Sequence, residues 1–361
     1  MSEFADMNPI DCHVHMRGLS SLVNIVGMLE AAELEAINIC AVPGLGGRNL
    51  NQNAAALIFK LLHPGRFYAF CGLHRVEQEG RWEDFAVQAE RMLAAGCDGF
   101  KMMAGKPTVY KEHGVPLDDP VYHGYYGLLE SRGVPIVYHV ADPAAFWDPD
   151  KVSAGVRERG WFYGDGTFPT KEELHEQVER MMEKFPELPV IFAHFYFMSG
   201  DLERAAAFLD RWPNVCFDLT PHHGMYHDFL NHPDETREFF IRYSDRILLG
   251  TDNSGGTRAP NPEKVAAAAD KIRSIRTVLE SDEEVEVFGF KGRGLNLPPE
   301  VLRAIYGGNF RRLAGQQPKE VDAALAREEG DRALSYMQSD PEARPFTTEL
   351  QEIRNITTRC T

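Results

Sequence analysis

Apolar and polar positions follow two different patterns along the chain. Eight short runs are almost continuously apolar, which is typical of strands that are buried on both faces. They are IDCHVHM (10–16), INICAVP (37–43), RFYAFCGLH (66–74), GFKMM (99–103), PIVYHVAD (135–142), PVIFAHF (189–195), VCFDLTP (215–221) and ILLGTD (247–252). The segments between them change to a helical period, as in KEELHEQVERMMEKF, where Leu174, Val178 and Met181 fall on one face. Thr170 and Glu173 predict a capping box at the start of that helix.

Eight units of strand and helix favour a parallel sheet that closes into a (β/α)8 TIM barrel. A distorted form of this barrel is also compatible with the pattern. An open doubly wound sheet is the alternative, but PGLGGRN (43–49) fits neither of the glycine-rich phosphate-loop spacings expected there. The connection after the fifth strand is long and rich in Gly, Pro, Asp and aromatic residues, which predicts an ordered loop over an active site. We therefore predict a catalytic barrel over residues 1–315. A helical C-terminal extension over residues 316–361 is expected to pack on the barrel or on a partner subunit.

Composition and charge narrow the function classes. The 361 residues are 43% hydrophobic and 25% charged, as in an ordinary globular protein, and the net charge of −16 argues against a nucleic-acid surface. We find no N-terminal signal region and no apolar run of about 18 residues, so we expect a cytoplasmic protein without a membrane partner. Four of the six cysteines lie in apolar runs, which favours buried free thiols over disulfides. A small-molecule substrate is the expected partner, and homo-oligomer formation stays open.

Polar residues interrupt the apolar runs near the carboxyl ends of the strands, where barrel enzymes carry their chemistry. They are His13, His15, Lys101, His139, His194 and Asp252. Because His13 and His15 lie two positions apart, both side chains point to the same face of the first strand. Burying two imidazoles is costly unless they are satisfied, and one divalent ion satisfies both. Nitrogens of His13, His15 and His139 with an oxygen of Asp252 suit zinc and leave a coordination position open for water.

Each of these residues also has a simpler interpretation. A single strand histidine is often a hydrogen-bonded core residue, Asp252 follows Gly-Thr as a helix cap does, and Lys101 is a plain cation in that interpretation. The occurrence of all of them at the matching ends of separate strands favours the metal site.

The same residues resemble the metal-site signature of the amidohydrolase superfamily. The stretch VLRAIYGGNFRRLAG (301–315) also resembles the end of the branch that includes aminocarboxymuconate semialdehyde decarboxylase, lactonases and related hydrolases. The resemblance covers about residues 10–315 and implies a metal-dependent barrel enzyme. It implies that His13, His15, His139 and Asp252 are metal ligands, and that Asp252 is also a catalytic residue that moves a proton.

The resemblance leaves two alternatives for His194 and Lys101. With two ions, His194 binds the second ion, and CO2 carboxylates Lys101 to a carbamate that bridges the pair. With one ion, His194 is a catalytic residue that holds or activates water, while Lys101 binds a substrate anion. Zinc is the predicted metal, with manganese and iron as alternatives, and both one and two ions stay open.

The first strand also resembles the D-x-H-x-H-x-R start of dihydroorotases, whose arginine binds a substrate carboxylate. Arg17 is therefore a candidate anchor for an acidic substrate, because a guanidinium pairs with a carboxylate through two parallel hydrogen bonds. A surface arginine that caps the first loop is the alternative. There is little room before residue 10 for the small β-domain of many cyclic-amide hydrolases, so a true dihydroorotase is not expected.

Aromatic and histidine side chains in three strand-end loops are predicted to line the substrate pocket, although packing between the loops is the alternative. They are Trp147, Tyr163, Tyr196, His222 and His223. We therefore predict a hydrolase that cleaves an amide, lactone or ester-like bond of a small, acidic, cyclic or unsaturated substrate. A metal-dependent decarboxylase of an unsaturated or aromatic acid is the alternative, and a non-catalytic metal-binding protein is a third.

Overall fold

The computed structural model describes residues 7–44, 49–78, 81–256, 259–337 and 344–360. Its main sheet contains nine parallel strands. These are β1 (Ile10–His15), β2 (Ala36–Cys40), β3 (Phe67–Gly72), β4 (Gly99–Gly105), β5 (Ile136–Val140), β6 (Val190–Phe192), β7 (Val215–Asp218), β8 (Ile247–Leu248) and β9 (Asn253–Ser254). All eight predicted runs contain strands of this sheet, and the eighth run is followed at once by the short strand β9.

The sheet closes on itself through these last two strands. Its order is β8-β7-β6-β5-β4-β3-β2-β1-β9, so β8 and β9 lie at opposite ends although only residues 249–252 separate them in the chain. The N–H of Cys12 donates to the carbonyl of Leu249 at 3.0 Å, and the N–H of Asp252 donates to the carbonyl of His13 at 2.8 Å. These bonds join β1 to the interrupted eighth strand. The predicted TIM barrel is confirmed, and this interruption is its distortion.

Helices follow the strands and cover the outside of the barrel. They are α1 (Leu22–Ala31), α2 (Asn51–Leu62), α3 (Phe85–Ala94), α4 (Pro107–His113), α5 (His123–Arg132), α6 (Ala154–Glu158), α7 (Lys171–Lys184), α8 (Leu202–Arg211), α9 (Met225–Asn231), α10 (Pro233–Arg242), α11 (Pro262–Glu280), α12 (Pro299–Arg303), α13 (Asn309–Ala314), α14 (Ala323–Met337) and α15 (Arg344–Cys360). Two antiparallel hairpins pair Glu77–Gln78 with Arg81–Trp82 and Glu284–Val287 with Phe290–Arg293. The predicted capping box at α7 is present, since Thr170 and Glu173 bond each other's backbone N–H.

The barrel interior is filled by apolar side chains and thiols, including Cys12, Cys40 and Cys216. Phe310 of α13 packs into this layer, with its ring centroid 4.9 Å from that of Tyr68. The five cysteines before residue 217 are buried and free, as predicted, while the side chain of Cys360 lies outside the described part of the structure. Because α13 covers one end of the barrel interior, the opposite end is left for chemistry.

The C-terminal helices α14 and α15 pack against each other and against α2. Gly330 of α14 lies between Ile353 of α15 and Ala54 of α2, and Glu329 forms an ion pair with Arg91 of α3 at 3.4 Å. The predicted helical tail is therefore confirmed, whereas its separation from the barrel at residue 315 stays a prediction. Within the ranges that the structure describes, every helix is too short or too polar to cross a lipid bilayer.

Candidate metal centre

Three of the predicted ligands lie together at the carboxyl end of the barrel. The Nε2 atoms of His13 and His15 lie 3.2 Å apart. One carboxylate oxygen of Asp252 lies 3.2 Å from Nε2 of His15 and 3.8 Å from Nε2 of His13. The three candidate ligand atoms all lie within 4.8 Å of one another, so an ion between them is within reach of all three at ordinary zinc distances.

The other ring nitrogen of each histidine already has a partner. Nδ1 of His13 donates to a carboxylate oxygen of Asp218 at 2.8 Å, and Nδ1 of His15 donates to the carbonyl of Cys40 at 2.9 Å. A neutral imidazole that donates through Nδ1 keeps its lone pair on Nε2, and such partners fix the tautomer of metal-binding histidines. These donors therefore fit a divalent ion held through both Nε2 atoms and the carboxylate of Asp252.

Asp218 is a candidate site residue that the sequence analysis missed. It ends β7, its side chain is fully buried, and it also accepts from the backbone N–H groups of His194 at 2.7 Å and Thr220 at 3.1 Å. Burial raises the pKa of Asp218, although the imidazole of His194, the side chain of Thr220 and the backbone N–H of His194 lower it in part. The signal was available in VCFDLTP, where Asp218 interrupts an apolar run at a strand end as the predicted residues do.

Lys101 lies against the same group. Its amine lies 2.9 Å from Nε2 of His13, and its side chain is buried on β4. Burial lowers the pKa of Lys101, which favours the neutral amine, the form that CO2 carboxylates. The position of Lys101 beside the candidate ligand atoms suits both the carbamate and the free-amine interpretation.

His139 and His194 pack against each other beside this group. Their ring centroids lie 4.9 Å apart, and the ring centroid of His194 lies 5.9 Å from that of His13. Nε2 of His139 faces a carboxylate oxygen of Asp142 at 3.4 Å, while Nδ1 of His194 donates to the carbonyl of Thr220 at 3.2 Å. Among the described residues, the compact ligand group contains neither histidine, although Nε2 of His139 is buried without a hydrogen-bond partner and Nε2 of His194 keeps its lone pair.

The chain takes an unusual turn directly after β6. His194, Phe195, Tyr196 and Phe197 have φ values of 60°, 54°, 54° and 52°, a left-handed run without glycine. The turn leaves His194 beside His139 but places Tyr196 in the core, where its ring stacks 4.3 Å from His175. The structure therefore corrects the predicted substrate contact of Tyr196: its side chain is fully buried among core residues and does not face the candidate site.

The long loop after β5 is fastened to the barrel through Asp142. The Asp142 carboxylate accepts from the hydroxyl of Tyr163 at 2.7 Å and from the amine of Lys106 at 2.8 Å. Burial would raise the pKa of Asp142, but its contacts with His139 and Lys106 outweigh it and hold the pKa well below the usual range. The ring of Trp147 lies 4.9 Å from that of Tyr163. Both predicted pocket residues of this loop thus lie near the strand ends, and their contact with substrate stays a prediction.

The remaining predicted residues lie around the mouth of the barrel. Arg17 is exposed, two residues after His15. The ring centroid of His222 lies 6.4 Å from that of His194, and burial lowers the pKa of His222 to about 4, so its imidazole is neutral near pH 7. His223 is exposed, and its carbonyl accepts from Nδ1 of His222 at 2.9 Å.

Comparison with known proteins assigns the family. The amidohydrolase family model matches residues 10–315, so the chain belongs to the amidohydrolase family. Members of this superfamily are enzymes that usually bind divalent metals, which agrees with the grouping of His13, His15 and Asp252.

Individual relatives are more distant. A dihydroorotase from Pseudomonas aeruginosa is 23% identical over 227 residues, which is 61% of this chain and 56% of the relative, so the match spans about half the length of that protein. An uncharacterized TIM-barrel protein from Bordetella bronchiseptica has a TM-score of 0.53 at 14% identity, covering 88% of this chain and 99% of that one. For 4-oxalomesaconate hydratase from Rhodopseudomonas palustris the TM-score is 0.50 at 15% identity, with coverage of 92% and 99%. These solved structures share the fold of this protein.

Proposed function

We propose that this protein is a metal-dependent hydrolase that cleaves an amide, lactone or ester-like bond of a small, acidic, cyclic or unsaturated substrate. One observation carries the proposal: His13, His15 and Asp252 converge at the carboxyl end of the barrel, with Nδ1 of both histidines already bonded. Zinc is the ion that suits these ligands, with manganese and iron as alternatives. A cytoplasmic location and a homo-oligomer remain expectations from the sequence.

The residues around the candidate metal centre would have different roles in the reaction. His13 and His15, through Nε2, and Asp252 would hold the ion. When bound, a divalent ion acts as a Lewis acid that acidifies water and polarises a carbonyl group. Asp252 accepts a proton from the attacking water and returns it to the leaving group.

Two properties suit Asp252 for proton transfer. Its side chain is 41% exposed, so solvent and substrate can reach it. Partial burial tends to raise the pKa of the Asp252 carboxyl group. The imidazoles of His15 and His13 lower this pKa below the ordinary value, so the carboxylate is ionised near pH 7. An ionised, accessible carboxylate is the form that a general base requires.

Two further residues are assigned to water and substrate. His194, held by Asp218 and Thr220, orients the water or polarises the substrate carbonyl in a one-ion centre. Arg17, exposed at the barrel mouth, binds the carboxylate of an acidic substrate through paired hydrogen bonds. His139 is the further predicted ligand of the first ion, and, if Lys101 is carboxylated, His194 would bind a second ion.

A decarboxylase that removes CO2 from an unsaturated or aromatic acid is the second candidate. It is supported by the ligand group of His13, His15 and Asp252, which is sufficient to hold one ion. This arrangement suits a one-ion centre, which is the alternative compatible with either reaction.

The test is a metal count per chain, combined with turnover on a panel of lactones, cyclic amides and unsaturated acids. We expect one or two ions per wild-type chain and loss of both metal and turnover in His13→Ala, whereas the exposed His232→Ala serves as the control and keeps both. Release of CO2 without addition of water would favour the decarboxylase proposal over the hydrolase proposal. Metal-free protein with unchanged turnover in His13→Ala would overturn both.

A further inference from the structure

The loop that follows β1 carries Arg17 and is fastened to other parts of the chain through its backbone. The N–H of Arg17 donates to the hydroxyl of Ser21 at 3.0 Å, and Ser21 donates in turn to the carbonyl of Gly256, near Asp252. The carbonyl of Arg17 accepts from the side-chain amide of Asn51 at 3.3 Å. The position of the Arg17 backbone is therefore set by neighbours outside its own strand.

Helix α15 supplies a further fastening of this loop. The carboxylate of Glu349 accepts from the backbone N–H of Leu19 and, at 3.0 Å, from the side-chain amide of Asn51. Gly18 lies directly against this carboxylate with a φ of 153°, and a Cβ at this position would overlap Glu349 and Asn51. The loop thus approaches α15 as closely as only a glycine allows.

Glu349 comes from the part of the chain beyond residue 315, where the family match ends. It nevertheless contacts the residue pair that follows Arg17, and it shares Asn51 with the Arg17 carbonyl. Hydrogen bonds that involve a carboxylate are stronger than those between neutral groups, so this contact restrains the loop more than ordinary packing does.

We propose that Glu349 is a positioning residue of the active site, which fixes the loop that carries Arg17 and so sets where its guanidinium meets the substrate carboxylate. This inference rests on the proposed function, because it requires an acidic substrate bound by Arg17. Arg17 pairs with the substrate carboxylate only when its guanidinium is correctly placed, so loss of this fastening should weaken the binding of an acidic substrate.

The helix itself does not depend on Glu349 for its place. Leu350 and Ile353 of α15 are buried and pack with the core cluster that includes α2. Replacing Glu349 by alanine should therefore leave α15 docked. Glu352 lies on the same helix and is exposed, which makes Glu352→Ala a matched control.

The first test measures amide hydrogen exchange at Leu19, whose N–H donates to Glu349. We expect exchange about tenfold faster in Glu349→Ala than in the wild type. Glu349→Gln keeps an oxygen that can accept, so it should restore most of the protection, and Glu352→Ala should match the wild type. A Leu19 amide that stays fully protected in Glu349→Ala would overturn the inference without any knowledge of the substrate.

The second test compares a panel substrate that has a free carboxylate with its methyl ester. Glu349→Ala should raise KM for the acid about tenfold with little change in kcat, and should leave KM for the ester unchanged. In an Arg17→Ala background the same change should have no further effect, because Glu349 acts through Arg17. Equal effects of Glu349→Ala in both backgrounds, or a loss confined to kcat, would contradict a positioning role.

The metal content and turnover of the wild type are read separately and report on the proposed function. A wild type that binds metal and hydrolyses only neutral substrates would leave metal-dependent hydrolysis standing and overturn the role of Glu349.

Discussion

Replacing Asp218 by asparagine tests whether a buried carboxylate fixes His13 in the tautomer that can bind a metal ion. One oxygen of Asp218 accepts from the backbone N–H groups of His194 and Thr220, and the other lies 2.8 Å from Nδ1 of His13. An asparagine keeps the two backbone bonds only when its oxygen faces them. Its NH2 group then donates to Nδ1 of His13, which moves the proton of the imidazole to Nε2. The nitrogen that faces His15 then has no lone pair to offer a metal.

The size of the effect follows from these contacts. Loss of the partner behind a metal-binding imidazole costs about 10–100-fold in metal affinity. The opposite orientation of the asparagine offers no relief, because its NH2 group would face two backbone donors and leave them unsatisfied, at about 1–3 kcal/mol each. We therefore expect the upper end for Asp218→Asn, about a 100-fold loss of zinc affinity, or about 2.8 kcal/mol.

The assay is competition for zinc between the metal-free protein and a chelator of known affinity. Asp11→Asn is the matched control, since Asp11 is also a buried carboxylate of the barrel but bonds only the backbone N–H of His13, at 3.2 Å, and not its ring; its other donors are the hydroxyl and N–H of Thr251 at 2.6 and 3.1 Å. We expect Asp11→Asn to lower the free energy of unfolding and to keep its zinc affinity. Equal zinc affinity in the wild type and in Asp218→Asn would refute the argument about the tautomer.

Two further predictions concern contacts around the barrel. Tyr163→Phe removes the hydroxyl that donates to the buried Asp142, and we expect urea titration to show a free energy of unfolding lower by about 1.5–3 kcal/mol; no loss would mean that the bond is replaced by water. For Glu83, burial would raise the pKa, but hydrogen bonds with His74 and Arg91 lower it from 4.5 to about 2. A lowered pKa means that the ionised Glu83 stabilises the fold above pH 4.5 and that this contribution is lost as the pH falls towards 2. The stability difference between the wild type and Glu83→Gln should therefore shrink between pH 5 and pH 2, and a constant difference would contradict it.

The strands and the compact ligand group were predictable from the sequence for one physical reason. Strands buried on both faces are continuously apolar, so a polar residue near a strand end stands out, and the carboxyl ends of parallel barrel strands meet on one side. His13, His15 and Asp252 were found in this way. Asp218 gives the same signal, but its carboxylate bonds Nδ1 of His13 instead of joining the ligand group, and that role depends on the contact between β7 and β1 across the barrel.

Other parts of the site depend on tertiary contacts that no local sequence pattern predicts. The left-handed run over residues 194–197 directs the side chain of Tyr196 away from the mouth of the barrel, although Tyr196 follows a strand as pocket residues do. His139 faces Asp142, only three residues away, because the long loop and Lys106 hold that carboxylate in place. Glu349 meets Leu19 across 330 residues of chain, and such a pairing is set by tertiary packing and not by periodicity.

The left-handed run over residues 194–197 has a consequence for engineering. A residue other than glycine in this conformation costs about 1–2 kcal/mol, so the four together store several kcal/mol that packing must offset, as between the rings of Phe195 and Phe217 at 5.1 Å. Glycine would relieve this strain, but Phe195 and Tyr196 are fully buried, and deletion of a buried aromatic ring costs about 3–5 kcal/mol, more than the strain removed at one position. Glycine substitutions in this run would therefore lower heat resistance and also loosen the hold of Asp218 and Thr220 on His194, so thermostable variants are better sought outside residues 194–197.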